Sequence, residues 1–231
     1  MKHFLKLAAK RVGFTVTRAP DLLDFLTSRS INIVYDVGAN KGQFAKELRF
    51  SGYRGRIISF EPIPSVFAEL EKQLSGDSAW EGHCAALGTV RSKGTINVSE
   101  NTVFSSILSQ TPYAEKFDPS AKVARIEEID IIAFDDVYRH TPDTRAFLKI
   151  DTQGFERQVL DGAKRALKHL HGLQLELPIQ HLYQDDWTLP TALTFLNEIG
   201  FVPAQMHPTN YINHDRQCWT EIDCIFRRSY D

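Results

Sequence analysis

The chain has 231 residues, with 27 lysines and arginines against 29 aspartates and glutamates and a formal net charge of −2. Its 42% hydrophobic and 24% charged residues are the balance of a globular protein with a real core, and so small a net charge excludes a global field that would draw it to nucleic acid. No apolar run is long enough to span a membrane, and three cysteines without C-x-x-C spacing exclude a disulfide framework and a zinc site, which points to reduced thiols in a cytoplasmic protein.

Residues 1–17 mix Lys2, Lys6, Lys10 and Arg11 with Phe4, Leu5, Leu7, Ala8 and Val12. The apolar runs are too short for a signal-peptide core. A basic amphipathic helix of this kind packs on its own domain or a partner subunit more often than it lies on an anionic membrane. With a second helix at 21–28 it forms an N-terminal helical extension, 1–30, ahead of one domain at 31–231. Residues 31–37 (INIVYDV) read as a buried strand, followed by the glycine turn Asp36-Val37-Gly38-Ala39-Asn40-Lys41-Gly42. An amphipathic helix with Phe44, Ala45 and Leu48 then runs to Gly52. A second apolar strand, 57–60, ends on Glu61-Pro62, and a helix follows between Pro64 and Gly76. Two successive strand–helix units call for a parallel sheet with right-handed crossovers.

The middle is less regular. Residues 83–87 read as the third strand and 95–99 alternate. Residues 113–122 read as a loop over the site, and 126–135 are ambiguous between strand and helix, with a short helix from 135. Order returns with an apolar strand at 146–150, then Asp151-Thr152-Gln153-Gly154-Phe155-Glu156, and a helix to about 170 carrying Val159, Leu160, Ala163 and Leu167 at helical spacing. Residues 173–177 are a strand ended by Pro178, and 190–199 a helix closed by Gly200. Strands at 201–206 and 220–227 follow, the second with Ile222, Cys224 and Phe226 on one face.

A strand, a glycine turn, a helix and an acid after the next strand describe a ligand site, because ligands bind at strand C-termini where crossover turns sit. In the dinucleotide fingerprint G-x-G-x-x-G the middle glycine admits a pyrophosphate; here that position is Asn40. Asp36 would repel a phosphate and accept from an ammonium group. A cofactor with an amino-acid end, a ribose and an adenine, and no phosphate, fits: S-adenosylmethionine. Glu61 would take the ribose hydroxyls, and its place at a strand end predicts that its loss costs cofactor affinity and not folding. Gly38 falls where a side chain would collide with the cofactor or strain the turn. The plainer reading has Asp36 capping the helix, Gly38 making the turn and Glu61 solvated.

The segments VYDVGANKGQFA, ISFEP, LKIDTQGFERQVLDGA and LQLEL together resemble the FkbM-type methyltransferases over roughly residues 31–227. The resemblance implies an α/β, Rossmann-like class I fold: a mostly parallel seven-stranded sheet with a C-terminal antiparallel hairpin and helices on both faces. It implies S-adenosylmethionine as donor and a hydroxyl acceptor on a sugar, polyketide or related small molecule. The expected cofactor site comprises Asp36, Gly38, Asn40, Gly42, Glu61, Pro62, Ser106 and Asp151. Ser105 and Ser106 match a serine pair of the family, although hydroxyls in a turn are more often local backbone partners.

Methyl transfer from a sulfonium is an in-line displacement, so the protein mainly aligns acceptor, methyl and sulfur. A hydroxyl acceptor also needs its proton removed. Asp151, at the mouth of the strand 146–150, is the first candidate; its plain role is a helix cap. Glu176 within LQLEL is costly unless partnered or facing a cleft. It would flank the acceptor with Asp151, joined by Glu156, or share a divalent cation. His181, in the loop after Pro178, is a candidate general base. His207 and His214 would touch substrate without doing chemistry, and Lys41 is expected to be solvated. Two other readings stand beside this one. A nicotinamide-dependent oxidoreductase is disfavoured by Asn40 and by the lack of a Tyr-x-x-x-Lys pair. A noncatalytic nucleoside-binding or scaffold module is opposed by the retained Asp36, Gly38, Gly42, Glu61 and Asp151.

Overall fold

The computed structural model describes residues 20–211 and 217–230. The basic segment 1–17 and His214 lie outside the described residues. The first helix, α1 (Leu22–Ser28), is fixed by a capping box in which Asp21 accepts from the Asp24 amide and Asp24 from the Asp21 amide. Strand β1 (Ile33–Val37), helix α2 (Gln43–Ser51), β2 (Arg56–Phe60), α3 (Pro64–Leu74) and β3 (Trp80–His83) follow as two strand–helix units and a further strand. Gly52 ends α2 in the left-handed conformation, φ 115°, as its sequence position predicts.

The chain then leaves the large sheet. Strands β4 (Ala86–Gly88), β5 (Ser92–Ser99) and β6 (Val123–Ala133) form a second sheet in the order β4-β6-β5. The expected single strand at 83–87 is therefore split: 80–83 pair with β2 and 86–88 with β6. The ambiguous stretch from 126 is strand, held antiparallel to β5. The expected loop at 113–122 contains a short helix, α4 (Ala114–Phe117), and a 3-10 turn, with Ala114 and Ala121 packed on Leu182 and Tyr183.

After α5 (Phe134–Val137) the chain re-enters the large sheet as β7 (Ala146–Ile150), α6 (Glu156–Asp161), β8 (Leu170–Pro178), α7 (Leu189–Glu198), β9 (Phe201–Tyr211) and β10 (Trp219–Arg228). The large sheet runs β3-β2-β1-β7-β8-β10-β9, with β10 antiparallel to both β8 and β9. The helix expected to reach about residue 170 ends at Asp161. Asp135 takes the backbone amides of Arg165 and Ala166 at 2.9 and 2.8 Å, which a continuing helix would need. At Gly162 a Cβ would lie 2.0 Å from the Gly88 carbonyl, so this turn sits flush against the end of β4.

Helices cover both faces of the large sheet, and its central strands are buried on both sides. On one side Tyr35, Val37, Leu148 and Leu175 pack with Phe134, Val159, Leu160 and Leu196. On the other, Val34, Ile57 and Phe147 pack with Phe25, Leu26, Leu48 and Leu70. The small sheet has its own cluster, with Ala86, Ile96, Val98, Ile129 and Ile131 closed by Ile63 and Val66 of the α3 region. No helix among the described residues is long and apolar enough to cross a membrane.

Candidate active site

A cavity of about 430 Å³ lies over the C-terminal ends of β1, β2 and β7 and extends along β8 and β10. Its edge begins at the glycine turn. The amides of Gly38 and Ala39 both donate to the Phe60 carbonyl at 3.0 Å, which ties the turn to the end of β2. Gly38 has φ 74°, and a Cβ there would lie 1.8 Å from the Asp151 carbonyl oxygen. The glycine is thus demanded by the end of β7 as well as by the turn. Asn40 also adopts a left-handed conformation, φ 45°, which asparagine tolerates. Gly42, φ 81°, heads α2 and packs where a Cβ would meet Leu70; it does not line the cavity, whereas Pro62 does.

Glu61 is buried, and its carboxylate is shared. Oε2 accepts from the Asn40 amide at 3.0 Å and Oε1 from the Ile63 amide at 2.9 Å. It therefore joins the turn after β1 to the start of α3, a structural role beside the expected cofactor contact. Burial pushes its pKa up to about 7 despite the two amides.

Lys149, which sequence reasoning passed over as part of an apolar strand, is the charge at the centre of the site. Its Nζ lies 3.2 Å from Asp36 Oδ1 and 3.3 Å from Asp151 Oδ2. The two carboxylates hold the ammonium above the ordinary lysine range although burial opposes this, while burial lifts Asp36 above the ordinary carboxylate range. Asp36 is fully buried and lies outside the cavity lining. The expected ammonium site at Asp36 is accordingly corrected: the cation that Asp36 meets is Lys149 from the neighbouring strand. The ladder itself carried the signal, since Asp36 and Lys149 are register partners on β1 and β7.

Asp151 and Glu176 are brought together as expected, but through Gln153, a residue not anticipated. Gln153 Nε2 donates to Asp151 Oδ1 at 3.0 Å and to Glu176 Oε2 at 2.8 Å, and its Oε1 accepts from the Tyr183 hydroxyl at 2.8 Å. Glu176 is raised well above the ordinary carboxylate range, by burial first and then by the charge of Asp151. Both carboxylates line the cavity.

Three other expected residues do not reach it. Ser106 is buried, its hydroxyl donating to the Gln153 carbonyl at 2.6 Å and accepting from the Leu108 amide at 3.0 Å. It holds the Gln153 loop; Ser105 lines the cavity but accepts from the Ser99 amide. His181 is not in the lining: the amides of Ile179 and Gln180 donate to Thr220, and the His181 carbonyl accepts from Thr111, so the loop folds back on the protein. Glu156 Oε1 accepts from the Thr152 and Gly154 amides and the Thr152 hydroxyl, shaping the loop from beneath.

A sheet of this order, with its last strands antiparallel and a cavity over the ends of β1, β2 and β7, is that of a class I methyltransferase. A family profile described as the methyltransferase FkbM domain matches residues 36–203. The chain belongs to that family, as its motifs implied. "Methyltransferase 1" of the fungus Beauveria bassiana (strain ARSEF 2860) is 23% identical over 190 residues, covering 77% of this chain and 75% of the relative. Among solved structures, methyltransferase FkbM from Methylobacillus flagellatus KT matches with a TM-score of 0.51 at 18% identity. That match covers 85% of this chain, which spans 43% of the larger protein.

Proposed function

We propose that this chain binds S-adenosylmethionine in the cavity and transfers its methyl group to a hydroxyl of a small-molecule or glycan acceptor. The observation that carries the reading is one cavity with a buried carboxylate, Glu61, at the end of β2 and a bridged acid pair, Asp151 and Glu176, past the end of β7 and on β8. The donor set suits the cofactor. Glu61 keeps a free lone pair on each oxygen for a ribose diol. Ile63, Ala86, Leu87 and Ile96 line the neighbouring wall and offer an apolar slot for a flat base. Asp151, with 36% of its side chain exposed, presents a carboxylate to a cationic centre. Among the described lining residues phosphate finds no free lysine or arginine, because Lys149 is already bonded to two carboxylates.

When bound, the sulfonium supplies a methyl group already activated for displacement. The residues of the chain do the rest. Glu61 anchors the nucleoside, and Lys149 fixes Asp151 from behind while Gln153 fixes it against Glu176. Glu176, whose proton affinity is raised, accepts the hydroxyl proton as the acceptor oxygen attacks. Calorimetric titration with S-adenosylmethionine, NAD and NADP separates this reading from the oxidoreductase and from the noncatalytic module. Asp151→Asn and Glu176→Gln are then assayed with labelled donor and a panel of hydroxylated acceptors. The expected result is a binding isotherm for S-adenosylmethionine alone and a collapse of turnover in both variants; binding of NAD, or full turnover in both, refutes it.

A further inference from the structure

The wall of the cavity farthest from Glu61 is more acidic than removal of one proton requires. Gln174 and Glu176 lie two residues apart on β8, and Glu221 and Asp223 two apart on β10, so each pair shares a face. Glu176 and Asp223 are directly opposed in the ladder. All four line the cavity, with Glu221 7% exposed and Gln174 8%. Asn210 of β9 donates to Glu221 Oε2 at 2.8 Å. Gln174 Oε1 is buried with no hydrogen-bond partner. Among the described residues Lys149 is the only lysine or arginine in the lining, and its ammonium is engaged by Asp36 and Asp151. Among the described residues, three carboxylates therefore line one end of the cavity, where the cationic groups that act on Asp223 are Lys149, already engaged by Asp36 and Asp151, and His207, its register partner on β9.

Two occupants are disfavoured. Among the described residues no three carboxylate, histidine or cysteine side chains are grouped so as to hold a metal ion. The cofactor does not extend this far: β10 is three strands from β1 and four from β2, roughly 14 and 19 Å at the usual strand spacing. What remains is the acceptor.

We propose that the acceptor is cationic, an amino sugar or amino alcohol whose ammonium group is held by Glu221 and Asp223 while a neighbouring hydroxyl is presented between Asp151 and Glu176. This rests on the methyl-transfer reading above. An ammonium has three donors and no acceptor, which matches a wall of acceptors. Burial, and after it repulsion from Asp151, raise the proton affinity of all three carboxyls, and a fixed positive charge relieves that cost. The same contact sets the site of methylation. A nitrogen kept protonated has no lone pair and does not attack. The hydroxyl oxygen forms the bond to the methyl carbon, the carbon–sulfur bond breaks with its pair going to sulfur, and the hydroxyl proton passes to the Glu176 carboxylate.

The test is a calorimetric titration of glucosamine, glucose and N-acetylglucosamine, which carry an ammonium, a hydroxyl and a neutral amide at the same carbon. Each is titrated with and without S-adenosylhomocysteine. Glucosamine is expected to bind at least tenfold more tightly than either neutral sugar. In Glu221→Gln/Asp223→Asn the preference should fall to within about twofold, with the affinity for S-adenosylhomocysteine unchanged as the check on folding. If the double variant does not fold, Asp223→Asn alone should lower the preference at least threefold. Equal or tighter binding of a neutral sugar, no binding by any of the three, or a preference that survives in the variants overturns the proposal. Failure of S-adenosylhomocysteine to bind the wild type strikes the cofactor reading instead, and the sugar preference measured without it still decides this one.

Discussion

Replacing Lys149 by methionine keeps most of the side-chain volume and removes the ammonium that faces Asp36. Asp36 would be left fully buried with the Ser59 hydroxyl at 3.4 Å and the like charge of Asp151. Breaking a buried pair from one side costs about 3–5 kcal/mol. The structure sets a ceiling on this, because a stranded carboxylate takes up a proton. With an ordinary value of 3.8, neutralising Asp36 costs about 4 kcal/mol at pH 7 and less than half of that at pH 5. The sign follows from linkage. In the variant the folded-state pKa of Asp36 rises further above the unfolded one, so its contribution to stability is intact below pH 3.8 and is lost as pH rises. Urea unfolding followed by tryptophan fluorescence at pH 5 and pH 7 should therefore show a defect that more than doubles between them. The double variant Asp36→Asn/Lys149→Met should recover most of the loss, giving a coupling energy of about 3 kcal/mol. A defect under about 1 kcal/mol at pH 7, equal defects at the two pH values, or additive single effects would refute the claim that Asp36 exists to hold Lys149.

Glu61→Ala should weaken S-adenosylmethionine binding by at least tenfold in calorimetry and also lower stability by about 2 kcal/mol, because two backbone amides lose a charged acceptor; unchanged unfolding would contradict the bridging role. Gly38→Ala should cost about 2–5 kcal/mol, from the left-handed backbone together with the clash against the Asp151 carbonyl, and a thermal melt within a degree of wild type would sink this. Burial lifts Glu156 from 4.5 to about 7. Its share of stability is accordingly present below pH 4.5 and lost as pH rises through 7, a change of about 3 kcal/mol at most. Glu156→Gln should remove that share, so that the difference in urea midpoint between pH 5 and pH 8 narrows; an unaltered difference would count against it.

The central parallel strands β1, β2, β7 and β8 were legible because each contains a short apolar run set off by a glycine, a proline or an acid. β7 matched its expected bounds, and β1 and β2 fell within a residue or two. What the sequence concealed were tertiary decisions. Nothing local at 83–88 reveals that four residues join one sheet and the next three another. The early end of α6 depends on Asp135, thirty residues away, capturing amides of the next turn. At the site, the glycine turn, Glu61, Asp151 and Glu176 were visible from type and position. Lys149 was also within reach, since a lysine inside AFLKI is as anomalous as a glutamate inside LQLEL and falls beside Asp36 once β1 and β7 are aligned. Glu221 and Asp223 were hidden for another reason: the alternation of their strand was read only for its apolar face.

The small sheet bears on how lesions in this protein will be read. The chain passes from the edge strand β3 to the central strand β7 by way of β4, β5 and β6, and this excursion supplies Ala86, Leu87 and Ile96 to the cavity. Its own apolar cluster lies apart from the two that flank the large sheet. Trimming a side chain such as Val98, buried in that cluster, would loosen one wall of the pocket while the sheet beneath keeps its packing. In a library screened for lost activity, such positions would score like contact residues although they touch no ligand, and a map of the hits would draw the pocket larger than it is.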